Sequence, residues 1–150
     1  MSSASRGNAA EAAVLQALVI RGLDVLVPFG SGHPYDLVVH GPVCGFVRVQ
    51  CKRAWPLQGC VAFNSRSTDH GRGPQSYLGL ADVFGVYFPP DDRVFLVPID
   101  AVASFVGRLR LEPTRNNQRK GIRFADEFDV SRWDEGRLAP LAAATHAPAA

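Results

Sequence analysis

Tyr35-Asp36-Leu37-Val38-Val39-His40-Gly41-Pro42-Val43-Cys44-Gly45-Phe46-Val47-Arg48-Val49-Gln50-Cys51-Lys52 holds two strand-like runs joined by a short Gly- and Pro-containing connection. Such a connection predicts an antiparallel hairpin. If His40 faces Phe46, partner numbers sum to 86, which sets Asp36 opposite Gln50. Side chains in a strand repeat every two residues, so Asp36, Arg48, Gln50 and Lys52 then share one face. Leu37, Val39, Val47, Val49 and Cys51 occupy the other. A slip of one residue would invert this pattern.

Working outward, Ala9 to Arg21 predicts a helix, with Ala10, Val14 and Leu18 at helical spacing and Gly22 as its stop. Glu11 falls in the first turn of that helix, where a carboxylate complements the helix dipole even without a chemical role. Leu23 to Pro28 predicts a strand, and Phe29 to Pro34 a loop by its glycine and proline content. Gly59 to Asn64 is a weaker strand. Ser65 to Ser76 reads as a mobile or binding loop. Tyr77 to Asp82 is expected as a helical turn that supports the fold. Val83 to Phe88 and Val94 to Pro98 form a second hairpin, and Asp100 caps a short helix through Val106. Residues 1–137 are expected as one domain, and 138–150, mostly Ala and Pro, as a flexible tail.

Composition narrows the function classes. At 150 residues, with 47% hydrophobic and 20% charged side chains, the chain suits one domain with a real core. No apolar run approaches the ~20 residues that cross a bilayer, and Met1 to Asn8 lacks a secretory signature, so a cytoplasmic protein is expected. Cys44, Cys51 and Cys60 are odd in number and without CxxC spacing, which argues for buried thiols over disulfides or zinc. Gly30-Ser31-Gly32 lacks the downstream spacing of a nucleotide-binding loop. His33 and His70, both in loops without a fixed partner, are weak candidates for a ligand or a base.

The net charge of +2 is unevenly spread. Arg108, Arg110, Arg115, Arg119, Lys120 and Arg123 fall in a segment whose only acid is Glu112. Lysine is rare among the 16 cationic side chains, so Lys52 at the end of a hydrophobic strand marks a role suited to a compact ammonium that can lose its proton. On its own it would pass for an edge-strand charge that discourages aggregation. Together, Asp36, Gln50, Lys52 and Glu11 suit metal-assisted phosphodiester cleavage. A hard divalent cation takes oxygen ligands, which Asp36, Gln50 and Glu11 can provide. Lys52 would stabilise charge at the reacting phosphate or favour hydroxide formation.

These residues resemble the PD-(D/E)xK nuclease superfamily, whose pattern is a helix glutamate, a strand aspartate and, on the next strand, an acid-x-Lys triplet. Gly7-Asn8-Ala9-Ala10-Glu11, Gly22-Leu23-Asp24-Val25 with Pro28, Tyr35-Asp36-Leu37-Val38-Val39 and Arg48-Val49-Gln50-Cys51-Lys52 are similar to the branch of group I intron homing endonucleases. Tyr77, Asp82-Val83-Phe84, Val86-Tyr87, Val97-Pro98, Asn117-Gln118 and Gly121 to Ala125 extend the likeness to roughly residues 7 to 130. Gln50 departs from the superfamily's usual acid, lowering the site's charge by one, but resembles the homing branch in doing so.

The resemblance implies an α/β, restriction-endonuclease-like core, with a mixed central β-sheet flanked by helices. It implies a DNA endonuclease using Mg2+ or Mn2+ and an activated water, leaving a 5′-phosphate. In that setting Arg48, Arg66, Arg72 and the Arg108 to Arg123 cations become candidate DNA contacts, with Asn117 and Gln118 able to read adenine edges. Arg48 is equally suited to a salt bridge. Cutting both strands of a duplex calls for a homodimer or larger symmetric assembly. The alternative is a nuclease-like fold kept as a non-catalytic DNA-binding or assembly module, motivated by Gln50 and the basic segment.

Overall fold

The computed structural model describes residues 1–69 and 73–145. The first helix, α1 (Ser3–Ile20), begins earlier than its apolar periodicity predicts. Ser2 explains the difference: its Oγ accepts the Ser5 N–H at 3.1 Å, capping the helix two turns before the apolar face starts. Glu11 is therefore mid-helix, and no acid lies in the first turn. At that position its carboxylate does not complement the helix dipole. Ala10, Val14 and Leu18 are buried, as their spacing requires.

After α1 come β1 (Asp24–Leu26), β2 (Leu37–Gly41) and β3 (Gly45–Arg53). The hairpin register is the expected one, with Leu37 opposite Val49, Val39 opposite Val47 and His40 opposite Phe46. The ladder ends at Leu37, one residue short of Asp36. Next are β4 (Trp55–Leu57), which the sequence reading missed, and β5 (Cys60–Asn64). The expected loop from Ser65 is instead a two-stranded ribbon, β6 (Arg66–Asp69) and β7 (Gly73–Ser76). His70 and Arg72 lie outside the described residues. Tyr77 to Asp82 is a turn, closed by Leu80 and Ala81 N–H groups on the Tyr77 carbonyl.

The second expected hairpin is present as β8 (Val83–Phe88) and β9 (Arg93–Pro98). Asp100 caps no helix. A single 3-10 turn, Ile99–Ala101, is followed by β10 (Val106–Arg110). The described residues close with α2 (Ala125–Phe128) and α3 (Glu135–Thr145). The expected tail thus begins inside a helix, and Leu138 is fully buried.

The central sheet runs β1-β2-β3-β8-β9 and is mixed, because β3 and β8 are parallel while the other neighbours are antiparallel. On one face, Leu37, Val39, Val47, Val49, Val83 and Leu96 pack with Val14 and Leu18 of α1 and Leu138 of α3. The opposite face, with Phe84, Val86, Phe95 and Val97, is covered by Val61, Phe63 and Leu109 of the small sheet β10-β5-β4. Alternation along each strand divides the two cores.

Gly85 sets how closely α1 lies on the sheet. A Cβ there would stand 2.6 Å from Val14 Cγ1 and 3.0 Å from Val49 Cγ1. Gly85→Ala is expected to lower stability by about 1–3 kcal/mol through overpacking. A denaturant midpoint unchanged from wild type would contradict the close approach.

Candidate active site

The site is built where β2 starts and β3 ends. Asp36 stands just before β2; its backbone N–H donates to the Val49 carbonyl at 2.8 Å and its Oδ2 accepts the Cys51 N–H at 2.8 Å. Asp36 thereby takes over where the strand ladder stops, held to β3 once through its backbone N–H and once through its carboxylate. Burial raises its pKa above the usual carboxylate range, opposed by the Cys51 N–H and the Lys52 charge.

Lys52 is held from the ribbon side. Its Nζ donates to the Arg66 carbonyl and to the Tyr77 hydroxyl, each at 3.2 Å, and lies 4.7 Å from the Tyr77 ring centroid. Desolvation lowers its pKa to about 8, with Asp36 pulling the other way. Tyr77 is buried, and its own pKa is raised by desolvation and by the Asp36 charge. The sequence reading assigned Tyr77 to the fold alone. Its contact with Lys52 crosses 25 positions of chain, so no local pattern could reveal it.

Glu11 reaches the same place from α1. It lines a cleft of about 320 Å3 with Asp36 and the 27–33 loop. Its pKa is raised, first by burial and then by the Asp36 charge. Two carboxylates that each resist ionisation share a cleft, an arrangement that a cation would relieve. Gln50 is half-buried on β3, next to the Val49 and Cys51 backbone groups that hold Asp36, and its Nε2 donates to the Cys51 carbonyl at 3.3 Å, leaving Oε1 as the amide's acceptor end. Among the described residues no three His, Cys, Asp or Glu side chains form a metal cluster. Two carboxylates and an amide oxygen, taken together, would suit a hard cation such as Mg2+ or Mn2+ and would suit zinc poorly.

The PD-(D/E)XK endonuclease family profile matches residues 1–131. The chain belongs to that family. Among solved structures, a bacterial homing endonuclease, I-Ssp6803I, is similar in fold: 22% identity, TM-score 0.72, covering 96% of this chain and 97% of that one. No curated protein sequence matches the chain. The family fold thus has the mixed sheet and flanking helices expected of it.

Against this PD-(D/E)XK frame, the expected DNA contacts divide. Arg48 makes the salt bridge that was its alternative to a DNA contact: its Nη2 pairs with Asp82 Oδ1 at 3.0 Å, its Nε and backbone N–H reach Oδ2, and its Nη1 donates to the Gly79 carbonyl. The Asp82 side chain has no exposed surface, so removing Arg48 from it would leave a buried carboxylate short of its cation. Arg48 ties β3 to the start of β8. Arg66 is also engaged, with Nη2 on the Ala103 carbonyl and its guanidinium 5.1 Å from the Phe105 ring.

The basic segment leaves from the far end of the small sheet. Arg66, whose carbonyl meets Lys52, follows Asn64, and Asn64 pairs with Val106, whereas Arg110 pairs with Cys60. Four strand steps, roughly 13 Å, separate those ends. Arg108, Arg115, Arg119, Lys120 and Arg123 are exposed, as are Asn117 and Gln118. Arg110 is half-buried and donates through Nε to the Glu112 carbonyl at 2.9 Å. His33 Nε2 donates to the Phe29 carbonyl at 2.9 Å, a loop-bracing contact. Cys44, Cys51 and Cys60 are free thiols, and no helix among the described residues is long and apolar enough to cross a membrane.

Proposed function

We propose that this PD-(D/E)XK endonuclease hydrolyses DNA phosphodiester bonds with a divalent cation, Mg2+ or Mn2+, held by Asp36, Glu11 and the Gln50 amide oxygen. The observation that carries the reading is the cleft shared by Glu11 and Asp36, with Asp36 coupled electrostatically to Glu11 on one side and to Lys52 on the other. Bound there, such a cation would neutralise phosphate charge and make a water more acidic. Asp36 is oriented for ligation because the Cys51 N–H holds its Oδ2. Lys52, fixed by Tyr77 and the Arg66 carbonyl and coupled electrostatically to Asp36, would stabilise charge developing on the phosphate. Most of the exposed cations of the 108–123 segment follow the end of β10 that points away from Asn64 and the Arg66 carbonyl, suited to phosphates away from the cut.

The likeness to a homing endonuclease supports duplex DNA as substrate, and two cuts call for two sites in a symmetric homo-oligomer. The test is nicking of supercoiled plasmid with Mg2+ or Mn2+ and its loss in EDTA. DNA binding without any divalent-ion affinity would favour the non-catalytic module. Metal binding carries a pH signature. Ligating carboxylates must be ionised, and those of Glu11 and Asp36 are raised, so protons compete with the ion at higher pH than for ordinary carboxylates. Mn2+ affinity measured by calorimetry should fall as pH is lowered from 7 toward 5. Affinity flat across that range would contradict ligation by these groups.

A further inference from the structure

The loop that walls the Glu11–Asp36 cleft carries a side chain with no intramolecular function. Phe29 is 99% exposed, and it lies between Pro28 and Gly30, both of which line the cleft. Its backbone is braced: the Phe29 carbonyl accepts the His33 Nε2–H, and Gly30 and Gly32 take φ of +84° and +85°. Those values suit glycine and few other residues. The loop therefore directs a large apolar ring outward instead of folding it under. From Val27 to Tyr35 the sequence has no Lys, Arg, Asp or Glu. Phosphate pairing is not what this wall offers to a polyanion.

The cleft does not end at the loop. A second cavity, of about 350 Å3, shares Gly32 and His33 with the first and runs on to Tyr77 and Leu80. Tyr77 is the residue that holds Lys52, so the two cavities run from Glu11 and Asp36 to the partner of Lys52, with Phe29 on the loop that walls the first. A strand lying in them would have its backbone toward Asp36 and Lys52. Its bases would then face the loop rim.

We propose that Phe29 is a DNA-positioning residue that stacks on a nucleobase next to the cleaved phosphate. The inference rests on the endonuclease reading and deepens it. An aromatic ring supplies a sequence-tolerant contact to any base face, whereas the exposed cations elsewhere supply the electrostatic part. The ring contributes no charge, so its removal alters affinity without altering the number of phosphates neutralised.

The test measures binding of wild type, Phe29→Ala, Phe29→Leu and Phe29→Trp to a duplex in EDTA over a salt series, with cleavage rates in Mg2+ alongside. Phe29→Ala should bind about tenfold to a hundredfold more weakly, Phe29→Trp should restore binding and Phe29→Leu should not. The slope of log affinity against log salt should stay that of wild type. A 2-aminopurine base near the cut should be less quenched with Phe29→Ala. Affinity within twofold of wild type for Phe29→Ala, or full rescue by leucine, overturns the stacking role. So does a change in solution mass with Phe29→Ala, which would assign the ring to contact between copies of the chain. Wild-type cutting with indifference to Phe29 sinks this inference alone, while wild type that neither binds nor cuts DNA sinks the endonuclease reading with it.

Discussion

Asp36→Ala is expected to lower Mg2+-dependent plasmid nicking by about 100- to 1,000-fold, the scale on which removal of one preorganised charge-stabilising group acts. Part of any effect could come from structure, because Oδ2 of Asp36 satisfies the Cys51 N–H. Leaving that donor unpaired costs about 1–3 kcal/mol. Asp36→Asn separates the two contributions: it keeps an acceptor oxygen for Cys51 and removes the charge. The asparagine variant should melt near wild type and still fail to cut. Lys52→Ala should lose about 100- to 1,000-fold, and Lys52→Arg should not recover it. A guanidinium is planar and always charged, whereas the Arg66 carbonyl and Tyr77 hydroxyl are arranged around a single ammonium nitrogen. Equal nicking by wild type, Asp36→Ala and Lys52→Ala would trace the activity to a contaminant.

Ending the chain at Arg137 is expected to abolish cooperative folding at 25 °C. Leu138 has no exposed surface, Ala142 is 8% exposed, and both belong to the core that joins α1 to the central sheet. Leu138→Ala alone should cost about 2–5 kcal/mol, against a total stability of about 5–15 kcal/mol for a small domain. Losing the helix from Leu138 on removes that contact and uncovers the part of the β3 face that α1 does not cover. Circular dichroism through a urea titration measures both variants. A truncated chain with the wild-type midpoint would return residues 138–145 to the role of a tail.

What was readable from sequence follows where the information sits. The 45–53 strand and its partner carry strict alternation around a short connection, so register and face were fixed by local residues. The β6–β7 ribbon was not readable, because its Ser, Gly and Arg composition gives no period-two apolar pattern and its order comes from cross-strand backbone bonds. β10 was hidden for a different reason. Its inward residues are Gly107 and Leu109, and Gly107 is small because Phe63 fills the space a Cβ would need. From sequence alone that stretch shows its arginines and conceals its strand.

The same division holds at the candidate site. Asp36, Gln50 and Lys52 lie on one hairpin, so spacing and register bring them near one another. The Tyr77 clamp and the Arg48–Asp82 pair depend on the parallel joining of β3 and β8, a long-range contact invisible to periodicity. The Ala/Pro-rich end misled because Pro140 usually interrupts a helix, yet α3 continues through it against the sheet.

Crystals containing Mn2+, measured at the manganese absorption edge, test the central claim most directly. The account predicts one anomalous peak in the cleft within about 2.5 Å of an Asp36 carboxylate oxygen and the Gln50 Oε1, with Glu11 beside it. Saturating Mn2+ that leaves this position without a peak, in protein that cuts DNA, would contradict it.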